Sequence, residues 1–453
     1  MEDQSLRPPL KDNTLFSSNK PSKKLKIIRI LLIIVPIFIL VQMFINYLED
    51  NIFYDLQLNQ SSTSGGLPIN SVVWEINFPK DEVKPSVDLI EENLIYAIKN
   101  DYISTVYKRN LKSGEQVEIL EFTESVKAED SGNVWSELPP SVALSPDKKQ
   151  LAFIDKEGLK VYNLDTKTTR TYIRKLNEAK CYGCEPRWSF PLLHAYGLFR
   201  PSWSSDGNYI SFIEAQYEGS TIGLIDTFSG EYTFLKTVYG FRGITWSPIG
   251  HSYLKPSYGN VPYESWGLRV SNKDDISETT DLTPKISKSE TLYFWEANFS
   301  PDGERIVFTF QDPSELPDNL TEEELEQIKD LAIIKTDGTD FKILLEKVDV
   351  KNLFFSKDGG SIFYFQQKDG KERLVKYELA TRNYSDVIVF NNKFNYEEIY
   401  WTKDGFLVLS GILSDPSSSE EIKRLFILDI ENRKLIYSSP VFNCFTNFVG
   451  FSN

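Results

Sequence analysis

Two cysteines in a C-x2-C arrangement, Cys181 and Cys184, are the side chains of this sequence whose spacing most directly suggests chemistry. Such a pair can close a disulfide, act as a redox dithiol or supply half of a tetrahedral zinc site. Zinc needs four ligands, and with His194 this stretch supplies three at most. A redox dithiol calls for a strand-to-helix setting that the surrounding LNEAKCYGCEPRWSF does not provide. Nucleophilic catalysis has little material. His194 and His251 are the only histidines, so a histidine base must be one of them, and no G-x-S-x-G elbow occurs. The 65 Asp and Glu leave a pair of glycosidase carboxylates open on composition alone, although a solvated surface is the ordinary destination of so many acids. Glycine-rich nucleotide loops are absent. We therefore assign no catalytic residue, no cofactor and no metal ligand from the sequence.

Aromatic residues in two irregular segments suggest binding instead. Leu176 to Phe199 carries Arg187, Trp188 and Tyr196, and SYLKPSYGNVPYESWG from Ser252 carries Tyr258, Tyr263 and Trp266 among Pro and Gly. A regular strand does not read this way. Amphipathic rings on stiff loops bury much area at little rotamer cost, which makes these six residues candidates for one partner-binding patch. Packing of the same rings against the body of the fold is the bland alternative.

What places these residues is legible at two scales. Lys26 to Tyr47, KIIRILLIIVPIFILVQMFINY, is long and apolar enough to span a bilayer as a helix. Lys20, Lys23, Lys24, Lys26 and Arg29 precede or open it, while Glu49, Asp50 and Asp55 follow, which puts the N-terminus in the cytoplasm and the rest outside. The expected organisation is a cytoplasmic tail (1–25), a transmembrane helix (26–48), a stalk rich in Gln, Ser and Gly (49–68) and an extracytoplasmic domain (69–453). The export that this topology implies favours a Cys181–Cys184 disulfide over a free dithiol. The tail to Lys26 nets +3 against a total of −15, leaving about −18 on the remainder. So acidic a domain repels nucleic acid and anionic lipid, and leaves a protein, peptide or glycan as the partner.

The larger domain is built on a repeat. Ser145-Pro-Asp-Lys, Ser204-Ser-Asp-Gly, Ser247-Pro-Ile-Gly, Ser300-Pro-Asp-Gly, Ser356-Lys-Asp-Gly and Thr402-Lys-Asp-Gly recur every 40 to 60 residues. Each follows an apolar or aromatic residue: Leu144, Trp203, Trp246, Phe299, Phe355 or Trp401. The phrase is turn chemistry: Pro presets φ, Asp bonds its own backbone and Gly takes a left-handed conformation. One Asp per turn does not build a calcium site. Short strands that read as alternating follow the turns, as in LAFI from Leu151 and IVFTF from Ile306, and a further hairpin completes four strands per unit.

The pattern, an aromatic, then S-P-D-G, a strand and an I-x-x-x-D hairpin, resembles the TolB-like propellers, also described as WD40-like PD40 repeats, over roughly residues 85 to 440. The resemblance implies an all-β propeller of four-stranded blades. Asn93 to Leu120 has blade-like strands without the signature, so seven blades are expected, with six or eight as alternatives. Ser71 to Phe78 reads either as a blade strand or as an extra edge strand. Most aromatics are expected between blades, and Thr321-Glu-Glu-Glu324 reads as the start of a short acidic helix in an insert. No hydrolase domain accompanies the propeller, unlike the prolyl-oligopeptidase-like enzymes, and no Thr-Trp follows the turn glycines as in sialidase boxes. The expected function is a membrane-anchored, extracytoplasmic binding scaffold, possible as one subunit of an envelope or secretory-pathway assembly; a hydrolase or lyase using carboxylates in the central funnel is the alternative.

Overall fold

A computed structural model of the protein describes the chain from residue 73 onwards, apart from 84–92, 125–140, 174–196, 236–242, 258–266, 287–291, 317–327, 415–420, 441–444 and scattered single or paired positions. The cysteine pair, the acidic insert helix and the apolar span 26–47 therefore lie outside the described residues. Among the described residues no helix is long and apolar enough to cross a membrane.

Seven antiparallel sheets form the unit Ser71–Asn453. A short strand, β1 (Trp74–Ile76), precedes them. Blade 1 takes β2 (Asn93–Asn100), β3 (Ile103–Asn110) and β4 (Gln116–Thr123). The next six blades are consecutive in sequence. They run from β5 (Val142–Leu144) to β8 (Thr169–Thr171), β9 (Gly197–Trp203) to β12 (Tyr232–Phe234) and β13 (Thr245–Trp246) to β16 (Thr279–Asp281). Blades 5 to 7 run from β17 (Tyr293–Phe299) to β20 (Lys342–Val348), β21 (Lys351–Phe355) to β24 (Tyr384–Phe390) and β25 (Lys393–Trp401) to β28 (Lys434–Ser438). The last strand, β29 (Phe445–Ser452), returns to pair with β2 as the fourth strand of blade 1, from Asn93↔Ser452 to Lys99↔Phe445. Closing the ring with strands from both ends of the unit leaves no blade edge open at the join.

This closure explains why six signatures serve seven blades. Each Ser-Pro-Asp-Gly turn joins the innermost strand of a blade to the next one outward, and in blade 1 those two strands are β29 and β2, at opposite ends of the sequence. The turn itself behaves as its residue types dictate. In the blade 5 copy Gly303 N–H donates to Ser300 O (2.8 Å), and Gly303 sits at φ 71°. Asp302 accepts from Glu304 N–H (3.0 Å), and Ser300 Oγ accepts from Arg305 N–H (2.9 Å) while donating to Asp302. Lys148, which replaces glycine in the first copy, keeps the left-handed conformation at φ 62°.

The hydrophobic core is divided among the junctions. Seven apolar clusters occur among the described residues, each shared by two adjacent blades. The strand after each turn is buried on both faces: Leu151 to Ile154 and Ile306 to Phe308 are all core. These strands read as continuous apolar runs rather than the expected alternation, because a blade is sandwiched between two neighbours. The outermost strands β4 and β20 are largely exposed.

Of the two readings of Ser71 to Phe78, the edge strand is the one found. β1 pairs in parallel with β24 of blade 6, from Trp74↔Ile388 to Ile76↔Phe390. The chain then crosses to blade 7: Phe78 stacks on Phe390 of blade 6 (5.6 Å) and Phe426 of blade 7 (4.1 Å), and Val83 exchanges backbone bonds with Ser438 (3.1 Å each way). Glu82 meets Arg109 of blade 1 at 2.5 Å. This segment forms a strap across blades 6 and 7 to the closing junction.

Candidate functional site

The innermost strands of a propeller surround a central channel, and here their ends are fixed from blade to blade by side chains. Trp203 Nε1 of blade 3 donates to Ala143 O of blade 2 (3.1 Å), and Trp246 Nε1 of blade 4 donates to Ser202 O of blade 3 (3.2 Å). Asn298 Nδ2 donates to Leu353 O (2.5 Å), and Leu353 N–H donates to Glu296 Oε2 (2.9 Å), which ties blade 5 to blade 6. The aromatic residues that precede the turns thus act first as staples between blades, in keeping with the packing expected of most rings.

A cavity of about 420 Å³ opens where blades 4 to 7 meet. Its wall is formed by Gly243 and Thr245 of blade 4, Glu296 to Asn298 of blade 5, Asn352 to Phe354 of blade 6 and Ile399 to Trp401 of blade 7. The volume suits a small ligand or the end of a larger one. Aromatic and neutral polar side chains dominate the described wall, with one carboxylate among them, Glu296, already engaged by Leu353 N–H.

Two local features shape the wall. A register shift between Lys351 and Phe354 interrupts β21, and Asn352 within it adopts φ 51°. Bulges re-aim side chains, and Asn enters the left-handed region at less cost than most residues. Trp401 stacks on Phe354 (4.7 Å) and Phe363 (5.0 Å). Its Nε1 is buried without a hydrogen-bond partner among the described residues, unlike the indoles of Trp203 and Trp246. A buried donor left unpaired costs about 1–3 kcal/mol, so ring stacking rather than its indole N–H holds Trp401 in place.

The sequence expectations meet this site only in part. Arg187, Trp188, Tyr196, Tyr258, Tyr263 and Trp266 lie outside the described residues, as do Cys181, Cys184 and His194. The strand ends that flank their segments are described. Gly197 opens β9, and Ser257 pairs with Gly267 at the far end of the second hairpin of blade 4. Both strand ends lie on the face opposite the Ser-Pro-Asp-Gly turns. His251 stands on the other face, where its Nδ1 is 2.8 Å from Asp206 Oδ2 and its ring stands 5.1 Å from Tyr209. Burial works against ionisation of Asp206, but donation from Ser204 Oγ, Asn208 N–H and His251 outweighs it and holds the carboxyl below its usual range. That arrangement locks the turn of blade 3 to the turn of blade 4. Among the described residues no three His, Cys, Asp or Glu converge as a metal site.

The wall residues went unrecognised in the sequence, yet a signal existed. Seven of them stand one or three residues before the aromatic of a signature: Thr245 and Gly243, Asn298 and Glu296, Phe354 and Asn352, and Tyr400. Inward-facing positions alternate along a strand, so these offsets mark the wall in blades 4 to 7.

No protein-family model matches the chain, and no curated protein sequence does. Solved structures of propellers are similar in architecture at low identity. TolB from Acinetobacter baumannii aligns over 78% of this chain and 79% of its own, at 14% identity and a TM-score of 0.39. The β-propeller domain of the Trilobed protease from Pyrococcus furiosus aligns over 78% and 97%, at 16% identity and 0.45. An oligogalacturonate lyase from Vibrio parahaemolyticus aligns over 79% and 83%, at 13% identity and 0.45. The chain is a seven-bladed, all-β propeller with TolB among its structural neighbours.

Proposed function

We propose that this propeller is a recognition module of the divergent PD40 kind, held at a membrane by Lys26 to Tyr47 with its propeller outside the cytoplasm, and that it binds a partner rather than transforming one. The observation that carries this reading is the channel wall. Thr245 and Asn352 offer hydrogen bonds beside the Phe354 and Trp401 rings, and Glu296, the only carboxylate among the described wall residues, is engaged within the protein. Neutral donors next to flat apolar faces suit a peptide segment or a neutral glycan, whose own polar groups alternate with apolar surface. The acidic character of the chain makes a nucleic acid a poor partner.

Capture of partners from membranes by the full-length protein tests this. A Thr245→Arg variant fills the cavity without touching a junction core, and Trp188→Ala with Trp266→Ala probes the loop aromatics in the same assay. Loss of capture by Thr245→Arg at an unchanged melting temperature supports the channel as the site. Undiminished capture by that variant refutes it, and loss only in the Trp188→Ala, Trp266→Ala protein moves the site to the loop face.

A further inference from the structure

Beyond the channel, a second cavity of about 340 Å³ lies between blades 2 and 3, on the side of the Ser-Pro-Asp-Gly turns. The repeat shows why it is open. The residue five positions after the turn serine reaches the next blade in two comparable places. Arg305 of blade 5 donates through Nη2 to Gly359 O of the blade 6 turn (3.0 Å), and the Tyr209 ring of blade 3 rests against His251 of blade 4 (5.1 Å). Blade 2 has Gln150 at this position, and both Gln150 and Gly207 of the next turn line the cavity instead of bridging it.

The groups facing this space are mainly donors. Arg170 lies with its guanidinium carbon 4.4 Å from the centre of the Tyr172 ring, and Arg170 Nη1 donates to Thr227 O (3.3 Å). Tyr172 OH donates to the same carbonyl (2.8 Å). The guanidinium is thereby pre-positioned, with further N–H groups to offer. Asn163 spends its Oδ1 on the N–H groups of Asp165 (3.0 Å) and Thr166 (2.8 Å), leaving its amide NH2 as a donor, and Gln150 adds a second amide. Val161 and Trp203 supply an apolar floor; among the described residues no carboxylate lines the space, and the nearby Asp226 spends its Oδ1 on the N–H groups of Phe228 (2.9 Å) and Ser229 (2.7 Å). Phe228, the residue after Thr227 of the lining, is 94% exposed.

One fixed guanidinium and two amides, with no acid in the described lining, match a single carboxylate. The exposed phenyl ring of Phe228, one residue along from Thr227, matches an apolar side chain next to that carboxylate. We infer that the cleft between blades 2 and 3 binds the C-terminal carboxylate of a peptide, with Arg170 pairing the carboxylate and Phe228 contacting the last apolar side chain. This site is separate from the channel and stands or falls independently of it.

The test uses purified full-length protein and three probes: N-acetyl-Gly-Gly-Phe as the free acid, the same peptide as its C-terminal amide, and propionate as a bare carboxylate. Binding is read by calorimetry and by the indole resonance of Trp203. The acid peptide should bind about ten-fold or more tightly than the amide, since the charge-assisted pair is lost in the latter. Arg170→Gln should weaken it by a similar factor. Gln150→Arg, which copies Arg305 and fills the cleft, should abolish binding with the melting temperature unchanged. Equal affinity for acid and amide, or undiminished binding to Gln150→Arg, overturns the site. Propionate binding as tightly as the peptide overturns the peptide as its occupant.

Discussion

Replacing Phe78 by Ala tests whether the strap before blade 1 is part of the folded ring. Phe78 is 3% exposed and stands between Phe390 of blade 6 and Phe426 of blade 7, within the cluster those blades share. Removing a buried phenyl costs about 3–5 kcal/mol through lost transfer energy and the cavity left behind, and the two ring contacts place this site toward the middle of that range. A unit of roughly 380 residues has an unfolding entropy near 0.8 kcal/mol/K, so about 4 kcal/mol lowers the melting temperature by about 5 °C. Phe228→Ala removes the same atoms from a ring that is almost wholly exposed, and should change stability by no more than about 0.5 kcal/mol. Calorimetric melting of the two variants beside the parent decides the matter. Similar shifts for both would refute the reasoning, because the strap would then be a lodger on the ring and not one of its elements.

Four further outcomes follow from particular contacts. A Cβ on Gly450, at φ 155°, would come within 2.7 Å of Leu144 Cδ2, so Gly450→Ala should cost about 1–3 kcal/mol, and Leu144→Ala in the same chain should restore part of the loss in a double-mutant cycle of melting curves. Donation from Ser356 Oγ, then from Gly360 N–H, depresses the Asp358 carboxyl; a depressed folded-state value stabilises above the unfolded value near 3.9 and the benefit is lost as pH falls through the folded value, so the melting-temperature gap between parent and Asp358→Asn should begin to narrow below about pH 5 and close only under the depressed value. Glu82→Ala strands the buried Arg109 and should be more harmful than Glu82→Leu combined with Arg109→Met, a ranking that denaturant midpoints would reverse if the pair were only a surface contact. If the proposed topology holds, protease added to intact cells cleaves the propeller while sparing the tail, and unreduced mass spectra join Cys181 to Cys184; protection of the propeller or two free thiols would contradict export.

The architecture was legible because it depends on residues that must repeat. A tight turn with a left-handed fourth position admits few side chains, so Ser, Asp and Gly return at Ser204, Ser300 and Ser356 with their neighbours little changed. The blade without a signature, Asn93 to Leu120, could be counted but its missing strand could not be named, since β29 pairs with β2 across almost the whole unit and nothing local announces that partner. The strap was ambiguous for a similar reason. Trp74 to Ile76 has the composition of any strand, and only the exposed backbone edge of β24 selects its parallel pairing.

The channel was obscure because recognition requires the repeat to be broken. Seven equivalent positions facing one axis would make a symmetric ring, whereas a specific ligand needs a different group from each blade. Three residues before the turn aromatic stand Gly243, Glu296 and Asn352, and one residue before it stand Thr245, Asn298 and Phe354. Seen singly, each is an unremarkable strand residue. Seen in register, they are the places where blades that share a backbone diverge in chemistry. The cleft between blades 2 and 3 follows the same rule, since it exists where Gln150 stands at the position that holds Arg305 and Tyr209 in other blades. In a repeat fold the conserved phrase therefore identifies the scaffold, and the departures from it, aligned on that phrase, identify where a ligand is met.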